Sequence, residues 1–238
     1  MEDWSDRLKR EVAAVVPCYN SGGRLRPVLE KLRAHVDHII VVDDGSTDNI
    51  ADDVDGMDVH LVTFPSNRGK GHALLEGMRT ARAIDGVTCV VTLDSDGQHD
   101  PKEIPRLYQA FCENKADFII GSRVFDKRDV PLRSRFGNKL TIIVAGILLG
   151  KRLPDTQSGY RLHSARFVDH ILATVAVGRY ETEMEILIRA VKDGFVALPV
   201  PIQTIYEKNN KSSHFSSTRD SFLIYRKLLK MTLAGYKR

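Results

Sequence analysis

Short runs of apolar, mostly β-branched residues alternate along the chain with stretches whose apolar residues recur three or four positions apart. The runs are typical of buried strands, and the spaced pattern is typical of amphipathic helices. We predict strands over residues 12–20, 38–48, 58–64, 87–97 and 116–123, and helices over residues 24–36, 69–82, 101–114 and 179–190. This alternation predicts an α/β fold, with a mostly parallel sheet flanked by helices.

Polar residues follow three of the predicted strands at the point where each strand ends. The segments are PCYN, DDGSTD and DSDGQH. Ligands of open α/β sheets bind beyond the carboxyl ends of the strands, so we expect these three segments to converge on one crevice.

The segment VTLDSDGQHD carries the most informative pattern. Asp94 and Asp96 flank Ser95 directly behind the fourth predicted strand, and Gln98 follows closely. Carboxylates two residues apart on an extended backbone point the same way, and their repulsion raises a carboxylate pKa. A positive charge between them would relieve the repulsion, and hard oxygen ligands suit Mg²⁺ or Mn²⁺ shared with a substrate diphosphate. The alternative interpretation is a turn, where Asp, Ser and Gly are common.

Composition adds few constraints. The 238 residues suffice for one large domain, and the mild net charge of +4 says little by itself. We expect no nucleic-acid partner. The three cysteines show no CxxC spacing, which fits a reducing compartment and argues against a disulfide or zinc framework. The charged N-terminus lacks an apolar signal core. The longest apolar run, residues 140–150, suits a buried helix or one lying in a membrane surface, but is too short to span a bilayer.

Six motifs follow one another along the chain: VVPCYN, VVDDGSTD, NRGKGHAL, LDSDGQHDP, GSR and DTQSGYR. Over residues 12–201 this series resembles family-two glycosyltransferases of the type A fold. Within them it is most similar to the branch of dolichyl-phosphate mannose synthases and bacterial polyprenyl-phosphate glycosyltransferases. The resemblance implies a single Rossmann-like type A domain over residues 1–205. It also implies an inverting hexosyltransferase that uses a nucleoside-diphosphate sugar and Mg²⁺ or Mn²⁺.

The resemblance assigns the nucleotide base and ribose to Pro17, Tyr19 and Asp44. A carboxylate is suited to this place because it can accept the ring N–H of uracil or guanine. We therefore expect removal of the Asp44 carboxylate to weaken nucleotide binding without disturbing the fold. Asp43 and Asp48 are expected to be turn and cap residues.

Further matches complete the donor side. They are Gly69, Lys70, Ser95 and Arg123 around the nucleotide, Asp94 on the ribose or sugar side, and Asp96 with Gln98 as metal ligands. The alternative for the glycines of NRGKGHAL is simply a glycine-rich helix start.

The resemblance places the acceptor in the second half of the chain. Arg133 and Arg135 precede the apolar run, and arginine suits a lipid phosphate, although a solvated basic loop is the alternative. DTQSGYR matches the segment that lines the acceptor pocket, with Asp155 and Arg161 as its charged members. The predicted helix 179–190 is expected near the sugar through Glu183, with most of its glutamates solvated.

The acceptor decides whether a general base is needed. A hydroxyl group requires one, whereas a phosphate is already anionic. Asp155 is our first candidate for a base or acceptor-positioning group, and Glu183 is the second. The preferred acceptor is a polyprenyl phosphate. The alternatives are a hydroxyl group of a glycan or lipid, and a non-catalytic nucleotide- or glycan-binding module of the same fold. A nucleotidyltransferase is disfavoured because PCYNSGGRL matches its GxGxR phosphate loop poorly.

Residues 206–238 form a basic amphipathic C-terminal segment. From Lys208 onward it has eight basic residues and one acidic residue. Such a segment binds an anionic membrane surface or packs on the domain. His214 lies in its polar part, which we expect to close over the diphosphate, with a surface turn as the alternative. We therefore expect a cytoplasmic protein with a peripheral contact at the inner face of the membrane.

Overall fold

The computed structural model describes residues 4–123, 158–176, 178 and 181–203. In this part of the chain, one sheet contains β1 Val12–Cys18, β2 His38–Asp43, β3 His60–Thr63, β4 Cys89–Thr92, β5 Phe118–Arg123, β6 Arg161–Ser164 and β7 Ala197–Ile202. The helices are α1 Trp4–Glu11, α2 Leu25–Leu32, α3 Ile50–Val54, α4 Lys70–Arg82, α5 Ile104–Glu113, α6 Ala165–Thr174 and α7 Glu181–Lys192.

The strand order in the sheet is β3-β2-β1-β4-β6-β5-β7. Neighbouring strands run parallel except at β6, which is antiparallel to both β4 and β5. The prediction of a mostly parallel sheet is confirmed. Because β1 lies between β2 and β4, the three polar segments that follow these strands leave the sheet at the same edge.

Helices cover both faces of the sheet, as predicted. All seven residues of β1 are buried, and their side chains alternate between two apolar cores. Ala14 and Val16 pack with α1, α2 and α5, whereas Ala13 and Val15 pack with α4, α6 and α7. A strand buried on both faces explains the continuous apolar run at this position.

The sequence predicts the positions of these helices better than it predicts their ends. The predicted helices correspond to α2, α4, α5 and α7, with most bounds shifted by two residues or fewer and the largest shift at the end of α2. The third begins after a 3₁₀ turn at Pro101–Glu103, because the Asp100 carboxylate accepts a hydrogen bond from the Lys102 N–H at 3.1 Å. The short elements α1 and α3, together with α6, β6 and β7, were not predicted.

Cys18, Cys89 and Cys112 are all free thiols. The apolar run 140–150 and the segment 206–238 lie outside the described residues. Among the described helices, none combines the length and the apolar character that crossing a bilayer requires.

The antiparallel strand β6 buries an imidazole. His163 is 1% exposed, and its Nδ1 lies 3.2 Å from the Val90 carbonyl oxygen. Burial lowers the pKa of His163 to about 3, a shift that the hydrogen bond to Val90 opposes only in part. The imidazole is therefore neutral in the folded protein at neutral pH.

We expect this histidine to make folding sensitive to acid. The unfolded chain takes up the proton below pH ~6.5, whereas the native imidazole does so only near pH 3. The contribution is complete above pH ~6.5 and is lost as the pH falls, by about 1.4 kcal/mol per pH unit. Urea unfolding at pH 7 and pH 5.5 should show a smaller acid loss in His163→Gln than in the wild type. Equal losses in the two proteins would contradict this assignment.

Candidate active site

The loops after β1 and β2 are hydrogen-bonded to each other. The Asn20 N–H donates to the Ser46 hydroxyl at 3.0 Å, and the Gly22 N–H donates to Asp48 Oδ2 at 2.8 Å. Asp43 accepts a hydrogen bond from the Ser46 N–H at 2.9 Å, which confirms its prediction as a turn residue. Asp48 instead joins the two loops. Two of the three segments that were predicted to converge are therefore joined directly.

Asp44 anchors the NRG loop that precedes α4. Its carboxylate is 3% exposed and accepts hydrogen bonds from Arg68 N at 2.7 Å, Gly69 N at 2.8 Å and Asn67 Nδ2 at 3.1 Å. The expectation that its removal leaves the fold undisturbed is wrong, because three donors would lose their acceptor. The contact of Asp44 with the nucleotide stays a prediction. Asp44 can also affect nucleotide binding indirectly, because the loop that it anchors borders the crevice.

Replacing Asp44 with Asn should therefore change two quantities together. An amide nitrogen would face N–H donors, so we expect the free energy of unfolding to fall by about 1–3 kcal/mol. Nucleotide affinity should fall as well, because the loop leaves its place. Urea unfolding and calorimetric titration with nucleoside diphosphate provide the two measurements. Asp52→Asn, an exposed acid on α3, is the control. A variant with full stability would show that these hydrogen bonds do not hold the loop.

Gly45 explains why the turn after Asp44 requires a glycine. Its φ is +70°, and a Cβ there would lie 2.4 Å from the Ser66 carbonyl carbon and 2.6 Å from Asn67 N. Both atoms belong to the backbone and have little freedom to move. The DDG turn thus packs directly against the loop that Asp44 anchors. Pro17 is buried at the end of β1, and Tyr19 follows half-buried.

Asp94 lies at the carboxyl edge of β4 beside a lysine. Its Oδ1 is 2.5 Å from Lys70 Nζ, and the same ammonium lies 3.2 Å from Glu183 Oε2. Asp94 also packs against Gly159, where a Cβ would lie 2.7 Å from its Oδ2. Sequence reasoning missed Gly159, although the residue lies inside the DTQSGYR motif. Lys70 thus supplies a positive charge directly at Asp94.

The pKa values of Asp94 and Asp96 are shifted in opposite directions. Burial opposes ionisation of Asp94, but Lys70 and His99 outweigh it and lower the pKa of Asp94 to about 2. The charge of Arg123, at the end of β5, shifts the pKa of Asp94 in the same direction. Burial and the neighbouring charge of Asp94 raise the pKa of Asp96. The repulsion that the sequence predicts therefore raises the pKa of Asp96 but not that of Asp94.

Asp96 retains the capacity to bind a cation. Within the described residues, the one hydrogen bond to its carboxylate comes from the Gln98 N–H at 3.0 Å. Ser95, Asp96 and Gln98 are all partly exposed at the crevice. The described residues contain no group of three or more His, Cys, Asp or Glu side chains able to enclose a metal. The donor set nevertheless fits Mg²⁺ or Mn²⁺, because such ions take one or two carboxylates together with substrate phosphates and water.

Arg161 is 2% exposed and donates hydrogen bonds to the Ser158 carbonyl at 2.8 Å and the Glu183 carbonyl at 2.6 Å, so it supports the fold, and its place at the acceptor pocket stays a prediction. The expectation that most glutamates of α7 are solvated is wrong. Glu185 is 3% exposed and pairs with Arg189 at 3.6 Å, and the Glu183 side chain is only 12% exposed. The other acceptor-side predictions, Asp155, Arg133, Arg135 and His214, lie outside the described residues.

Comparison with solved structures identifies the fold class. The glucosyl-3-phosphoglycerate synthase of Mycobacterium tuberculosis, solved with Mn²⁺, UDP and phosphoglyceric acid, superimposes with a TM-score of 0.74 at 18% identity. The match covers 96% of this chain and 80% of that chain. The fold is that of the type A glycosyltransferases, as the sequence predicted.

Sequence comparison identifies the family. The model of glycosyl transferase family 2 matches residues 13–172, and the chain belongs to that family. A Methanococcus voltae relative named UDP-N-acetylglucosamine–dolichyl-phosphate N-acetylglucosaminyltransferase is 30% identical over 81% of this chain and 84% of its own length. The polyprenol monophosphomannose synthase of Mycolicibacterium smegmatis is 31% identical over 82% of this chain and 78% of its own length. The protein is therefore a glycosyltransferase, and these relatives belong to the polyprenyl-phosphate branch.

Proposed function

We propose that the protein transfers a sugar from a nucleoside diphosphate to a polyprenyl phosphate, with inversion at the anomeric carbon and a divalent cation. The observation that supports this most strongly is that two aspartates at one strand end have different partners. Asp94 is neutralised by Lys70, whereas the Asp96 carboxylate accepts a single hydrogen bond among the described residues. One acid is thus engaged within the protein, and the other remains available for a cation.

Asp96 and Gln98 would hold the cation. Bound there with the donor diphosphate, Mg²⁺ or Mn²⁺ would neutralise the charge that develops on the leaving group. The protein's own groups then orient the donor: Asp94, Ser95 and Arg123 line the same strand ends. The loop anchored by Asp44, with Gly69 at its end, and the Pro17–Tyr19 segment are proposed to hold the base and ribose.

The acceptor is proposed from the printed names of the relatives and from chemistry. Both relatives described above are named for transfer to, or synthesis of, polyprenol or dolichol phosphates. A phosphate oxygen is anionic and can attack the anomeric carbon in line without a general base. Arg133 and Arg135 are proposed to bind this phosphate, Asp155 to position it, and His214 to close over the diphosphate.

A transfer assay with matched acceptors tests the proposal. Purified protein is incubated with Mn²⁺ and a panel of UDP- and GDP-sugars, and products are identified by mass spectrometry. Undecaprenyl phosphate is the acceptor, and undecaprenol, which lacks the phosphate, is the control. We expect product with the phosphate only. Product with undecaprenol would indicate a hydroxyl acceptor, and the absence of both transfer and donor hydrolysis with every donor would indicate a non-catalytic module.

We further propose that residues 1–205 form the catalytic domain and that residues 206–238 place it against the cytoplasmic leaflet. The basic residues from Lys208 onward would be attracted to anionic lipid by about 1 kcal/mol each, an effect that salt weakens. Co-sedimentation with vesicles containing anionic lipid, at low and high salt, tests this. Deletion of residues 206–238 should abolish vesicle binding.

A further inference from the structure

The ammonium group of Lys70 connects two separate parts of the chain. It lies 2.5 Å from Asp94 Oδ1, 3.2 Å from Glu183 Oε2 and 3.3 Å from Glu183 Oε1. The side chains of Lys70 and Glu183 are only 19% and 12% exposed. Charges so far withdrawn from water interact more strongly than a surface ion pair does.

The backbone around Glu183 is held in place independently of this contact. Arg161 donates to the Glu183 carbonyl at 2.6 Å. Gly71 lets α4 approach the start of α7 closely, because a Cβ there would lie 2.2 Å from both the Gly178 carbonyl oxygen and Thr182 Oγ1. The first turn of α7 is therefore fixed relative to α4, and the Glu183 side chain meets Lys70 in a preorganised arrangement.

We infer that Glu183 is a positioning residue, which holds Lys70 so that Lys70 can hold Asp94 in place for the donor. Both oxygens of Glu183 lie within 3.3 Å of Lys70 Nζ, so this carboxylate is already engaged by an ammonium group. The inference rests on the proposed function, in which an anionic phosphate acceptor needs no general base. It replaces the earlier candidacy of Glu183 as a base.

The same geometry makes the two carboxylates dependent on the lysine. Asp94 and Glu183 both contact Lys70 Nζ, at 2.5 Å and 3.2 Å. The two contacting oxygens therefore lie no farther apart than the sum of these distances. Without the ammonium, two like charges would face each other in a site with little water, and they would repel. Loss of Glu183 should then be harmful when Lys70 is present and harmless when it is absent.

A double-mutant cycle tests the inference. The variants are Glu183→Gln, Lys70→Met and the double variant. Glu181→Gln, on the same helix turn, is the control. The readouts are kcat and KM for transfer and the calorimetric Kd of the nucleotide sugar with Mn²⁺. Glu183→Gln should raise KM and Kd ~10-fold with kcat nearly unchanged, and Lys70→Met should lower kcat/KM on the order of 100-fold. Adding Glu183→Gln to Lys70→Met should cause no further loss, or a partial recovery.

Other outcomes would overturn the inference. A general base predicts that kcat falls by about 10²–10⁴-fold with KM unchanged, in both backgrounds. A purely structural role predicts a lower melting temperature with an unchanged Kd for the nucleotide sugar. The Kd readout needs no acceptor. If wild-type protein fails to glycosylate a polyprenyl phosphate while the Kd cycle shows this coupling, the proposed function is wrong and the positioning role is supported.

Discussion

Replacing Asp96 with Asn should reduce sugar transfer on the order of 10³-fold. The amide keeps the size of the side chain but removes the negative charge that a divalent cation requires. A cation that neutralises the departing diphosphate stabilises the transition state by several kcal/mol, and each ~1.4 kcal/mol corresponds to a tenfold rate change. The largest part of the loss should therefore appear in kcat.

Metal-dependent nucleotide binding gives the independent readout of this prediction. Wild-type protein should bind the nucleoside diphosphate more tightly with Mn²⁺ than without it, and Asp96→Asn should bind equally weakly in both. Asp85→Asn, an exposed acid in the turn after α4, controls for the loss of one negative charge. Full activity in Asp96→Asn would remove this residue from the site.

The second large effect concerns stability and arises at Asp117, immediately before β5. This carboxylate is 2% exposed and accepts hydrogen bonds from the Ser164 hydroxyl at 3.1 Å and the Val196 N–H at 2.9 Å, as well as a bidentate pair from Arg166. It thus connects β5 to the end of β6, to α6 and to the segment before β7. Asp117→Ala should lower the free energy of unfolding by about 3 kcal/mol, because buried donors lose their acceptor.

The size of this loss reflects the different environments of the donors. The Arg166 side chain is 67% exposed and can be hydrated after the mutation, so most of the cost comes from Ser164 and Val196. Asp169→Ala on α6 is the matched control, since its ion pair with Arg82 has an aspartate that is 56% exposed. Guanidinium unfolding should show less than 1 kcal/mol for the control. A similar small loss in Asp117→Ala would contradict the prediction.

Local pattern was sufficient for much of the fold. The continuous apolar run at residues 12–20 indicates a strand buried on both faces. The helical spacing of the apolar residues that follow indicates a helix buried on one face, formed by Leu25, Val28, Leu29 and Leu32. The strand β6 was missed because Arg161–Ser164 is short and includes an arginine and a histidine. Carbonyl groups accept hydrogen bonds from both buried side chains, and those of Glu183 and Val90 lie far away along the chain.

The sequence by itself determined the alternation of strands and helices, the position of Asp94 and Asp96 behind a buried strand, and the order of motifs that the family match confirms. These features follow from short-range periodicity, which the chain carries residue by residue. Only the tertiary structure decided that Lys70 joins Asp94 to Glu183, that Gly159 backs Asp94, and that Asp44 anchors a loop. Lys70 and Glu183 are separated by 113 positions, and no local pattern encodes such a contact. The contact exists because α4 and α7 pack on one face of the sheet, so closely at Gly71 that no larger residue would fit. This packing places the first turns of both helices at the same strand ends.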